Sequence, residues 1–215
     1  MGLSCRVTYQ VQSYFESTIA YPFDWWLTPI DGFLRYLSDP NPDRVYGAGA
    51  LDELVVDGHV ISIVAPEFGF QLYHEFPRED VGLPTRMVAA GWRDQVAKQR
   101  AIHVRRLDRL LALDRPGRRI LFVRDRLDVE AQGTDAAAES VAKLWSLLSN
   151  RFRRAEVELL LVNVPSAVRT PQPGVRWADF EDVRDDTPEG WRGNSTGWAQ
   201  AFASRETPAP RVAGS

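Results

Sequence analysis

A chain of 215 residues with 44% hydrophobic and 26% charged side chains has ordinary globular balance, and 26 basic against 29 acidic residues leave a net charge of −3. That mild acidity gives no electrostatic ground for nucleic acid or an anionic membrane as partner, and no apolar run approaches the ~18–20 residues of a membrane span. A single cysteine builds neither an internal disulfide nor a thiolate zinc site. The expectation is a cytoplasmic protein of mixed α/β type, one domain over 1–204 with a flexible tail at 205–215, working without a cofactor. Its basic charge is almost all arginine, Lys98 and Lys143 being the only lysines, the mark of a GC-rich genome.

The opening Met-Gly-Leu-Ser-Cys fits neither a lipoprotein signal, which needs an apolar stretch before the cysteine, nor the myristoylation pattern, which needs Ser or Thr where Arg6 stands. Val7, Val11, Tyr14 and Phe15 then recur at helical spacing, with Ser4 as the predicted N-cap and Cys5 in the first turn. An aromatic run from Tyr21 to Trp26 follows, and Pro29 opens a short helix through Leu37. Residues Asp39 to Gly49, rich in Asp, Asn, Pro and Gly, read as a loop. Strands are predicted over His59–Val64 and Phe68–Tyr73, the second with period-2 alternation. The longest periodic element, Trp92 to about Leu113, is a helix with an arginine-studded outer face that Pro116-Gly117 terminates.

Ile120–Val123 reads as a buried strand, Asp135–Phe152 as a helix and Val157–Val164 as a second buried strand. Strand, helix, strand at this spacing is a right-handed crossover with parallel strands. Beyond Pro165, Pro and Gly interrupt a segment that keeps Trp177, Phe180, Trp191 and Trp198, a pattern expected of a tail wrapped over the core. The fold class is therefore α/β, a mixed and partly parallel sheet flanked by helices, with a cysteine at a helix N-terminus.

Cys5 is the first candidate for chemistry, because the backbone N–H groups and dipole of a helix start favour a thiolate and offer an oxyanion hole. The plain alternative is a small packed residue. A thiol nucleophile needs a base, and three histidines compete. His59 follows Asp57-Gly58 as an exposed turn residue, His103 is solvated or packed mid-helix, and His74 ends a predicted strand where side chains enter a cleft. His74 is the best base. A third group would orient it: Asp24 among the aromatics is the working choice, with Asp125 and Asn163 at strand ends as open alternatives. Trp25 and Trp26 could line an acyl or peptide groove, with Ser4 beside the nucleophile.

Gly2-Leu3-Ser4-Cys5-Arg6-Val7, Pro22-Phe23-Asp24-Trp25, His74-Glu75-Phe76, the strand Leu121-Phe122-Val123-Arg124 and the Trp191-Arg192-Gly193 to Trp198 stretch together resemble a bacterial family of papain-like cysteine peptidases. The resemblance implies Cys5 as nucleophile, His74 as its partner, thioester chemistry, and an α+β papain-like layout as the alternative fold. The expected function is a thiol-dependent acyl-transfer enzyme, a peptidase or amidase-like hydrolase or an acyltransferase. Its partner would be an acyl or peptide-like substrate, free or carried on a protein. The rivals are a non-catalytic module that binds a carrier protein or carbohydrate, and a parallel-sheet enzyme centred on Asp125 and Asn163.

Overall fold

The computed structural model describes residues 5–82, 86–127, 133–182 and 190–204. Helices α1 (Arg6–Tyr14), α2 (Ile30–Ser38) and α3 (Asp43–Tyr46) precede a hairpin of β1 (Asp52–Val56) and β2 (His59–Ala65). The short strands β3 (Phe70–Gln71), β4 (Arg78–Glu79) and β5 (Met87–Val88) follow, and a 3₁₀ turn over Ala90–Gln95 leads into α4 (Val96–Leu111). The second half runs β6 (Arg119–Asp125), α5 (Thr134–Arg151), β7 (Glu156–Val162), β8 (Val175–Ala178) and α6 (Ser195–Ala203).

The crossover forms as its hydrophobic pattern dictates. β6 and β7 pair in parallel from Arg119 opposite Glu156 to Asp125 opposite Val162, and β8 continues the sheet on the far side of β7. β7 is buried from Leu159 to Val162 because both of its faces are covered. Leu159 and Leu161 pack with Ile120 and Phe122 under Val141, Leu144 and Leu148 of α5. Leu160 and Val162 pack with Val123 under Val7 of α1 and Trp198 and Phe202 of α6. α1 and α6 therefore share one layer, and that layer carries the N-terminus of α1 to the C-terminal end of β6.

A separate antiparallel sheet has the order β1-β2-β3. Asp57 (φ 50°) and Gly58 (φ 77°) form its tight turn, both in the left-handed conformation a two-residue hairpin requires. β1 was not expected from the sequence, whose Asp52-Glu53 start hides a strand with no fully buried residue. The strand expected over Phe68–Tyr73 shrinks to Phe70–Gln71, because Gly69 (φ 67°) turns the chain and the Phe68 amide donates back to the Ala65 carbonyl. Phe68, Phe70 and Leu72 are nonetheless all buried, as the alternation required. The loop expected over Asp39–Gly49 contains α3. The wrapped tail after Pro165 supplies a strand and a helix, β8 and α6, neither of which was foreseen.

Candidate active site

Cys5 is the N-cap of α1 and not a first-turn residue, and no side chain caps the helix there. Ser4 and the segment 205–215 lie outside the described residues. The half-buried Cys5 thiol donates to the carbonyl oxygen of Trp25 at 3.4 Å. Burial pushes its pKa up to about 11, and the charge of Asp125 adds to the shift. The helix start thus holds a thiol and not a thiolate, because desolvation is the dominant influence on it.

Trp25 organises the surroundings of that sulfur. Its amide donates to the Thr8 hydroxyl on α1 at 3.2 Å, and its indole packs edge-on against the His74 imidazole with centroids 5.3 Å apart. Trp25 (φ 68°) and Phe23 (φ 71°) both occupy the left-handed region, an uncommon conformation for bulky aromatic residues and one that concentrates at functional sites. Two segments distant in sequence therefore meet at one tryptophan: the start of α1, with Cys5 on its carbonyl and Thr8 on its amide, and His74 on its ring.

His74 sits in a turn after β3, exposed on one side. Loss of solvent where the Trp25 and Tyr73 rings pack, followed by the charge of Arg78, holds its pKa below the ordinary histidine value. At neutral pH Cys5 is therefore a protonated thiol and His74 a neutral imidazole. His59 is exposed beside the hairpin turn, as expected.

The third-group candidates separate. The Asp24 carboxylate accepts the Tyr21 amide at 2.7 Å, and the Thr8 hydroxyl also bonds it. Burial raises its pKa against those bonds. These partners lie within its own loop and on α1, so the contacts of Asp24 shape the loop that presents Trp25 and none of them reaches His74. Asn163 is committed to its own strand end, where its side chain accepts the Phe180 amide at 3.0 Å. Asp125 is buried at the end of β6, close enough for its charge to act on Cys5.

Trp26 is not a groove residue. It is 1% exposed, its indole N–H donates to Glu75 at 2.9 Å, and its ring stacks on His103 at 5.0 Å. Glu75 also accepts from Arg106 at 2.9 Å. His103, rather than being solvated, is buried with its Nε2 2.7 Å from the Tyr36 hydroxyl, and its burial together with the Arg106 charge lowers its pKa to about 4. The Phe-Asp-Trp-Trp and His-Glu-Phe stretches are thus joined beneath the surface by Trp26 and Glu75. Consecutive residues then divide the labour: Trp25 and His74 face the site while Trp26 and Glu75 anchor it.

Sequence reasoning missed the roof of the site. Trp191 lies 6.3 Å from Trp25 and 5.1 Å from Tyr9, ring to ring. Arg6 places it, donating to the Trp191 carbonyl at 2.9 Å and pairing with the buried Asp182 carboxylate at 2.8 Å. Gln10 of α1 adds a bond to the Arg192 carbonyl at 2.6 Å. Gly193 (φ 73°) is required here, since a Cβ would stand 2.2 Å from Asp182 Oδ1 and 2.6 Å from Arg6 Cδ.

Among the described residues no three His, Cys, Asp or Glu side chains converge as a metal site would need, and no helix is long and apolar enough to cross a membrane. Comparison of the chain with protein-family models, with curated proteins and with solved structures gives no match.

Proposed function

We propose that the protein is a thiol-dependent acyl-transfer enzyme of papain-like character, with Cys5 as nucleophile and His74 as base. The reading rests chiefly on one observation, that Trp25 holds the Cys5 thiol on its carbonyl and the His74 imidazole against its ring. In the proposed step His74 takes the Sγ proton as sulfur bonds to the carbonyl carbon of an amide or ester. Collapse of the tetrahedral intermediate breaks the bond to the leaving group, which receives that proton, and a thioester remains on Cys5. Because thiol and imidazole are both neutral at rest, proton transfer accompanies attack, unlike chemistry that begins from a preformed ion pair. Backbone N–H groups at the start of α1 face the developing oxyanion. The aromatic Trp191 roof makes the site drier and favours an amine over water in the second step.

Incubation with p-nitrophenyl acetate and intact-mass measurement tests this. The expected result is a hydroxylamine-labile acetyl adduct on Cys5, absent from Cys5→Ala and formed on the order of a hundredfold more slowly in His74→Ala. One observation favours a second reading, a binding module with a structural cysteine: burial lifts the thiol pKa to about 11. In that case acylation would follow thiol ionisation alone and His74→Ala would leave its rate unchanged, which overturns the enzyme reading.

A further inference from the structure

A hollow of about 380 Å³ opens beside α1, and every residue from 118 to 123 lines it. Strand side chains alternate between faces, so six consecutive lining residues mean that the hollow runs along the edge of β6 and not over one face. That edge is unpaired: the sheet order is β6-β7-β8, and among the described residues no strand flanks β6 on its outer side. The ladder fixes which backbone groups point outward. At its two ends the Glu156 amide donates to the Arg118 carbonyl and the Arg126 amide to the Val162 carbonyl, so even-numbered residues of β6 bond β7. Arg119, Leu121 and Val123 therefore present their N–H and C=O groups to the hollow.

We propose that the outer edge of β6 is a docking groove for an extended peptide, which adds to the sheet as a further strand and places an apolar side chain in the hollow among Val11, Ile19 and Phe23. An unpaired edge is a template for strand addition, with main-chain bonds giving affinity and pockets giving selectivity. A hydrocarbon chain in the same place would cover the outward amides and carbonyls without satisfying them, whereas a peptide supplies the matching donors and acceptors. Charge fixes one end of the occupant. Arg119 is paired with Glu156 and Glu158, but among the described residues Arg118 has no carboxylate partner. The peptide accordingly carries an acidic residue at the end that meets Arg118. The proposal stands apart from the thiol chemistry, and its test uses the Cys5→Ala protein so that turnover plays no part.

Binders selected from a random-sequence peptide library against that protein are labelled and titrated by fluorescence anisotropy. The expected binders alternate apolar and polar residues and end in an acidic one. N-methylation of alternate amides weakens them at least roughly tenfold on one strand edge and not on the other. Arg118→Glu, an exposed position that leaves the fold intact, and Val11→Trp, which fills the hollow, each weaken binding by about the same factor. If Val11→Trp fails to give a cooperative unfolding transition, Ile19→Trp at the exposed rim replaces it. Absence of any binder, indifference to N-methylation on both edges, or equal binding to both variants overturns the proposal. So does saturable uptake of dodecanoate without peptide binding, which would make the hollow an acyl site. Self-association abolished by Arg118→Glu, again without peptide binding, would make it a dimer interface and likewise overturn it.

Discussion

Arg6 shows how one side chain beside the candidate nucleophile can decide the geometry of a remote segment. Its guanidinium and the Asp182 carboxylate are both nearly buried, and Asp182 also accepts from the Asn194 amide and the Trp198 indole. Removing one member of such a pair leaves the other charge desolvated without compensation, which costs far more than the intact pair contributes. Arg6→Ala should lower stability by about 3 kcal/mol in denaturant unfolding, and it should also release Trp191 from the roof. An unchanged unfolding midpoint would mean that water or a neighbour compensates Asp182. The adjacent tryptophans teach a related lesson. A Trp-Trp pair in sequence gives no sign of which ring is buried, and only the partners, Glu75 and His103 for Trp26 and His74 for Trp25, assign them.

At the scale of elements, what could be read in advance was what local periodicity encodes. Ile120–Val123 and Leu159–Val162 are runs of apolar residues with an amphipathic helix between them, and nothing but a buried parallel pair satisfies that pattern. β8 was hidden because only Val175 and Trp177 carry its alternation and Gly and Pro flank it. It pairs because β7 offers it an open edge, a fact about another part of the chain. The candidate site was legible in the same partial way. Cys5 and His74 could be chosen by chemistry, but the link between their loops passes through Trp26, Glu75 and Arg106, whose association depends on packing of α4 against the segment after β3. Trp26→Phe tests that link, since it removes the indole donor and leaves Glu75 with Arg106. The expected loss is about 1–2 kcal/mol, together with weaker His74-dependence of Cys5 acylation. Full retention of both would uncouple the buried network from the site.

For the whole molecule, the buried His103 ties stability to pH. The ordinary histidine value is 6.5 and burial lowers that of His103 to about 4, so over this window the unfolded chain binds a proton that the folded chain refuses. Stability therefore rises with pH wherever the unfolded state is the more protonated. The contribution of His103 is fully present above about pH 6.5, declines as pH falls toward 4 and is level below that, amounting to about 3 kcal/mol at 1.36 kcal/mol per pKa unit. Asp24 acts with the opposite sign. Its folded pKa is raised above 3.8, so its contribution is present at low pH and is lost as pH rises through the folded value. The two windows overlap and the raw profile blends them, so the informative quantity is the difference between the native chain and His103→Gln, in which Asp24 cancels. Glutamine keeps a polar partner for the Tyr36 hydroxyl and does not titrate. Denaturant unfolding across pH 4 to 7 should show the native chain losing stability faster than the variant as pH falls. Parallel profiles would mean that the ring takes up its proton without opening the core, and the stack of Trp26 on His103 would then not be the closed anchor described above.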